Sequence, residues 1–198
     1  MRVFFILIFV LLAQQVFGQN YGQKLTDATL RLQQLRTSNA NIVAISADFS
    51  MFHTTPLLSA PQKGVGQMNY QKKADLLTLD YTQPQGDKLT IEKGTITIKS
   101  AGKTIETDAS QAQHIVSMFK ACFTGNFDKL GNKSDLEYYQ DKTYFTIIIK
   151  PRNGRLKRLV KQMTLQFDTD DKLSLMRIEA GNGDCTEYRY TNQIITKN

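Results

Sequence analysis

Between Gly64 and Lys99 apolar side chains recur at every second position: Met68 and Tyr70, then Leu77, Leu79 and Tyr81, then Leu89 and Ile91, then Ile96 and Ile98. Period two is the spacing of half-buried strands. Lys72-Lys73, Pro84-Gln85-Gly86 and Lys93-Gly94 supply the breaks, so the stretch predicts an antiparallel meander. Upstream, Ile42 to Phe52 reads as an earlier strand with Ile45, Ala47, Phe49 and Met51 on one face. Downstream a hairpin is predicted over Thr95 to Ile98 and Lys103 to Thr107, turned at Ala101-Gly102. Further strands follow at Leu136 to Tyr139, Thr143 to Ile149, Leu159 to Phe167, Leu173 to Glu179 and Cys185 to Tyr190.

Two stretches follow helical spacing instead. Leu25, Ala28, Leu32 and Leu35 predict an amphipathic helix over Lys24 to Arg36. Ala112, Ile115, Val116, Phe119, Cys122 and Phe123 predict a second, more apolar one, capped by Asp108 or Ser110. The expected fold is therefore mainly β. About eleven strands tend to curl, giving an unclosed, strongly curved antiparallel β-barrel with the helices lidding its concave face. An apolar sheet face must meet helices, a second sheet or an apolar ligand. Helices that cover the face without filling it would leave a cavity.

The loop His53 to Pro61 carries adjacent leucines, Leu57 and Leu58, between two prolines. Two readings stand: plugs tucked under the sheet, or the edge of a ligand opening. Candidate cavity residues are Phe49, Met51, Leu57, Leu58, Met68, Leu77, Leu79, Ile91, Ile98, Ile115, Phe119 and Phe123.

The first eighteen residues stand outside this pattern. Arg2 precedes an apolar run from Val3 to Ala13, and Val16 and Gly18 are small enough for a cleavage site. This run is short for a membrane span, so a cleaved export signal (1–18) and one domain (19–198) are expected. No cysteine stands near the cleavage point, which argues against a lipid anchor.

Composition then narrows the function. The formal charge is +7, and Lys150, Arg152, Arg155, Lys157, Arg158 and Lys161 occur without an acidic residue among them. Such a patch suits docking on acidic protein or anionic lipid, or forms a solvated hairpin. Export and the absence of a basic-aromatic module weigh against nucleic acid. Cys122 and Cys185 are candidates for a disulfide if their Cα atoms lie within about 7 Å. His53 and His114 belong to no nucleophile, zinc or phosphate-loop motif. Asp168, Asp170 and Asp171 lack calcium-loop spacing and read as a solvated turn. Neither an enzyme nor a cofactor or metal protein is expected.

Gly66, followed by Lys72-Lys73-Ala74-Asp75-Leu76-Leu77-Thr78-Leu79-Asp80-Tyr81-Thr82-Gln83-Pro84, resembles the signature of the periplasmic outer-membrane lipoprotein carriers of the LolA family. Phe49 before it and Lys93-Gly94 and Ile149-Lys150-Pro151 after it agree with that pattern. So does the tail of Leu165 to Asp168, Ile178-Glu179 and Thr186 to Asn192. The resemblance implies an apolar cavity that receives the acyl chains of lipoproteins, taken from an inner-membrane release complex and handed to an outer-membrane acceptor. It implies a periplasmic, cofactor-free carrier; we expect a monomer. The chain departs from the family at Lys73, which stands followed by Ala74 where an arginine and proline form the lid latch, and at Leu79, where an aromatic is usual. Lysine lacks arginine's planar fork, so a weaker latch is expected.

Overall fold

The period-two stretches pair mostly in chain order, and twelve strands join into one sheet. In the computed structural model, which describes residues 21–107 and 109–198, these are β1 (Gln23–Leu25), β2 (Ile42–Thr54), β3 (Gln62–Gln71), β4 (Leu76–Gln83), β5 (Lys88–Glu92), β6 (Thr95–Ser100), β7 (Lys103–Thr107), β8 (Ser134–Gln140), β9 (Phe145–Pro151), β10 (Gln162–Phe167), β11 (Leu173–Glu179) and β12 (Cys185–Lys197). Their spatial order is β1-β8-β9-β10-β11-β12-β2-β3-β4-β5-β6-β7, antiparallel throughout, and the sheet does not close. Among the described residues four helices accompany it: α1 (Thr29–Asn39), α2 (Ala109–Thr124), α3 (Asp128–Gly131) and α4 (Gly154–Leu159). The expected export signal lies outside the described residues, as does Asp108.

Alternation decides which face is the core. Ile45, Ala47 and Phe49 of β2, Met68 and Tyr70 of β3, Leu77 and Leu79 of β4, and Ile147 and Ile149 of β9 all point inward and are buried. Against them lies α2, whose Val116, Met118, Phe119, Cys122 and Phe123 are buried on more than one side. A helix apolar over so much of its circumference has to be wedged between surfaces.

Two boundaries differ from the sequence reading. The first helix starts at Thr29 rather than Lys24, because the Thr29 amide is taken by the Asp27 carboxylate at 2.8 Å. Leu25 belongs instead to β1, paired with Tyr138 of β8, which raises the strand total to twelve. In addition, the segment before β10 is the short helix α4 rather than a hairpin running into a strand at Leu159. The Asn153 side chain accepts the Arg155 amide at 2.8 Å and opens that turn.

The aspartate turn is not merely solvated. Asp171 pairs with Arg31 of α1 at 2.6 Å and accepts the Ser38 hydroxyl at 2.6 Å, while the Arg31 guanidinium lies 4.7 Å from the centre of the Phe145 ring. Together these contacts pin α1 across the sheet.

Cys122 and Cys185 are both free, so the disulfide is not formed. Cys122 faces the core, with its thiol donating to the Met118 carbonyl. Cys185 shares the parity of Glu187 on β12, opposite to the inward-facing Tyr188 and Tyr190, and lies beside Arg177 on the outer face. The sheet separates the two sulfurs.

Antiparallel pairing sends successive connections to opposite rims of the sheet. One rim carries the β2–β3 loop (55–61), the β4–β5 turn (84–87), the β6–β7 turn (101–102), the β9–β10 connection with α4, and the β11–β12 turn (180–184). We call this the mouth rim. The base rim carries the β3–β4, β5–β6, β8–β9 and β10–β11 turns.

Candidate functional site

The inner face between β12 and β6 is divided in two. In the base half, Phe119 and Phe123 of α2 press on Tyr70, Leu77 and Ile91, leaving a gap of only about 10 Å³. Tyr70 and Phe123 stack with centroids 5.2 Å apart, and Met68 and Leu79 are fully buried beneath. Ile115 is partly buried against the same core. These side chains plug the sheet.

In the mouth half the helix is absent and a hollow of about 570 Å³ remains, walled by Met51, Tyr81, Leu89, Ile98 and Tyr188. Because β12, β2, β4, β5 and β6 all contribute to one hollow, the sheet must curl around it. Its deepest polar atoms satisfy each other: the Tyr81 and Tyr188 hydroxyls are hydrogen bonded at 2.8 Å. Burial drives both phenols well above their ordinary pKa, so they stay neutral. Phe49 meets both rings edge-on, with centroids at 5.0 and 5.7 Å. One wall of the hollow is therefore ring and aliphatic carbon, while Gln62, Asp87, Lys88, Ser100 and Thr186 bring polar atoms to the rest of its lining.

At the opening stand His53, Lys63 and Lys99. Lys88 is neutralised by Asp80 at 2.8 Å, whereas Lys63 and Lys99 have no acidic partner among the described residues. Leu57 and Leu58 sit on the adjoining loop, with Leu57 92% and Leu58 48% exposed. The plug reading of that loop therefore fails.

The twelve candidate cavity residues thus divide. Met51 and Ile98 line the hollow, and Phe49 backs its wall. Met68, Leu77, Leu79, Ile91, Phe119 and Phe123 fill the plugged half, Ile115 packs partly buried against the same core, and Leu57 and Leu58 stand outside on the mouth loop. Sequence reasoning missed Tyr81, Leu89 and Tyr188 as cavity walls. The first two lie on the alternating positions of the meander, so their parity was the available signal.

The latch is also placed differently. Lys73 is exposed and makes no ion pair or side-chain hydrogen bond among the described residues. Two positions on, Asp75 pairs with Lys120 of α2 at 2.7 Å, and Lys72 donates to the Ala40 carbonyl at 2.9 Å. The contact between turn and helix exists, with the carboxylate on the turn and the cation on the helix.

Of the basic patch, Lys150 is paired with Glu137 at 3.0 Å and Arg152 with Asp135 at 2.8 Å. Arg155, Lys157 and Arg158 of α4, and Lys161 beyond it, have no ion-pair partner among the described residues. Nearby, the His114 ring of α2 is buried and hydrogen bonded to Ser134 at 3.1 Å. Burial, then the Lys133 charge, lowers its pKa below 6.5. The unfolded chain takes up this proton at a higher pH than the fold does. Its contribution is therefore complete above that value and is lost as pH falls through the folded pKa. Chemical denaturation across about pH 5 to 7 should show stability falling on the acid side, with His114→Gln flattening that slope.

A family model described as "Outer membrane lipoprotein carrier protein LolA" matches residues 40–197. The chain belongs to the LolA family. Among solved structures, it is similar to a LolA superfamily protein from Nitrosomonas europaea at 7% identity, covering 84% of this chain and 94% of that one, with a TM-score of 0.42. It is also similar to an outer membrane lipoprotein-sorting protein domain from Vibrio parahaemolyticus, at 8% identity, coverage of 84% and 92%, and a TM-score of 0.45. A third is the lipoprotein LppX of Mycobacterium tuberculosis, at 11% identity, coverage of 83% and 93%, and a TM-score of 0.39. No curated protein sequence matches the chain. The LolA family model spans β2 to β12, the strands that build the hollow as well as the plug.

Proposed function

We propose that the protein is a periplasmic carrier for acylated lipoproteins, receiving cargo from an inner-membrane release complex and passing it to an outer-membrane acceptor. The observation that carries this reading is the hollow of about 570 Å³, with one wall of Met51, Tyr81, Leu89, Ile98 and Tyr188, opening at the mouth rim beside a helix that plugs the base half of the face. An acyl chain crossing water unprotected loses about 0.8 kcal/mol per exposed methylene, so a shielding surface is a physical requirement of the transfer. No covalent step or cofactor enters this reading.

Volume sets how much cargo fits. If a methylene takes roughly the ~30 Å³ that a water molecule occupies in the liquid, the hollow holds about 19 of them, one long acyl chain. Further chains require α2 to withdraw Phe119 and Phe123 from the base half. The Asp75–Lys120 pair is a weak restraint on that motion, since both side chains are about 40% exposed and such pairs contribute about 0.2–1 kcal/mol.

The test is native mass spectrometry of the protein after incubation with inner-membrane vesicles that actively release a triacylated lipoprotein. A one-to-one complex is expected. Met51→Glu, which places a charge in the carbon-lined wall beside Tyr81 and Tyr188, should cut retention at least about 10-fold. Retention of no acylated species would overturn the proposal. The one-chain volume and the Lys63 and Lys99 cations at the opening favour a second reading, a free single-chain anionic lipid. The mass of the bound species separates the two.

A further inference from the structure

Exposed leucines and a net positive charge coincide on one rim. Leu57, Leu58 and Leu159 are exposed on mouth-rim connections, Leu159 at 57%, whereas the four base-rim turns carry no large exposed hydrophobic among the described residues and the exposed Leu30 beside them lies on α1. The mouth-rim connections carry five cations against two anions, and the base-rim connections five of each. The hollow opens on the same mouth rim.

The basic knob is held in place rather than dangling. The Lys161 amide donates to the Glu179 carbonyl at 2.7 Å and the Gly181 amide to the Arg158 carbonyl at 3.2 Å, seating the end of α4 on the β11–β12 turn. The backbones approach so closely that a Cβ on Gly181 would stand 2.7 Å from the Lys157 carbonyl oxygen. Arg155, Lys157 and Arg158 are thereby fixed outward.

We infer that the mouth rim docks on an anionic membrane surface, with Leu57 and Leu159 entering the lipid interface and the α4 cations meeting headgroup phosphates. Charge complementarity selects anionic lipid. The leucines favour a bilayer over an acidic protein, because a fluid interface admits separate projecting apolar tips, whereas a protein partner would need a matching pocket for each. Docking in this orientation brings the hollow's opening to the source of acyl chains. The inference does not depend on what fills the hollow, since docking is measured on empty protein.

Cosedimentation with vesicles of phosphatidylcholine and phosphatidylglycerol in equal parts, against phosphatidylcholine alone, tests it. Binding is expected only to the anionic vesicles and should weaken as salt is raised. A basic residue at such a surface contributes about 5-fold, equivalent to about 1 kcal/mol, so replacing Arg155, Lys157 and Arg158 together by Gln should weaken binding roughly 100-fold. Thermal unfolding of that variant should match the parent, because none of the three side chains is buried or in an ion pair. The chain contains no tryptophan, so Leu57→Trp and Leu159→Trp report position directly, each with a blue-shifted emission on anionic vesicles. Leu30→Trp, on α1 beside base-rim residues Gln140 and Thr169, should not shift. Equal binding to neutral vesicles, undiminished binding of the triple variant or an equal shift at Leu30 would each overturn the inference. So would failure to bind the anionic vesicles, whether or not α4 forms a stable complex with an acidic protein.

Discussion

Phe119→Ala is expected to destabilise the protein by about 3–5 kcal/mol, while Leu57→Ala changes stability by no more than about 0.5 kcal/mol. Both are large apolar residues in segments suited to a lid, and sequence alone gives them the same standing. The structure separates them: Phe119 is 6% exposed and packed in the plugged half, whereas Leu57 is 92% exposed. Urea denaturation, read as a shift of midpoint at constant slope, measures the difference. The functional signs should differ too. Removing Phe119 weakens the seat of α2 and lowers the cost of withdrawing it, so retention of a multiply acylated cargo should persist or rise even as stability falls. A variant that loses retention in proportion to its stability would show that α2 is a fixed plug, and the hollow would then accept one chain at most.

The strands of the meander were legible because one face is buried and the other is wetter, which makes period two visible from β2 to β5, whereas β9 is buried on both faces and reads as a continuous apolar run, Ile147-Ile148-Ile149. Legibility failed where local hydrogen bonding overrode periodicity. Leu25 continues the helical spacing of Ala28, Leu32 and Leu35, yet the Asp27 carboxylate accepts the Thr29 amide at the start of α1 and Leu25 pairs with Tyr138 instead. In β12 a register shift between Thr191 and Ile194 reverses parity, so Ile194 is exposed and Ile195 pairs with Ile45; the strand therefore runs on to Lys197 although its alternation breaks at Thr191. The candidate site was less legible for a different reason. Period two shows which side chains face inward, but not which of them a helix covers. Leu79 and Tyr81 lie two residues apart on one strand, and only the path of α2 makes the first core and the second wall. The latch shows the same limit: a basic residue in the turn was visible, but the interacting charge is Asp75, selected by the position of Lys120 on α2, 45 residues along the chain, rather than by local sequence.

Gly66→Ala should cost about 3 kcal/mol, the upper part of the usual range for overpacking a filled site. A Cβ at this position would lie 2.1 Å from the Asp80 carbonyl oxygen and 2.8 Å from Cζ of Phe49. The second neighbour is a ring and can tilt. The first is backbone held in the β3–β4 ladder, where Gly66 pairs with Tyr81 beside a register shift at Val65, so relief requires the strands to separate. Strand separation there moves Tyr81, and with it the hydroxyl pair to Tyr188 and the edge-on contacts of Phe49 that form the floor of the hollow. Loss of acyl retention should therefore accompany the loss of stability, unlike the outcome expected at Phe119. Gly86→Ala supplies the contrast: nothing lies within 4 Å of a Cβ there, but the backbone has φ of +89°, so its cost is conformational strain in an exposed turn. It should lower stability without altering retention measured under conditions where both variants remain folded. If Gly66→Ala instead folds with parental stability, the close approach of β3 and β4 is not what this glycine serves, and the wall of the hollow is less tightly constrained than the packing of Phe49, Tyr81 and Tyr188 requires.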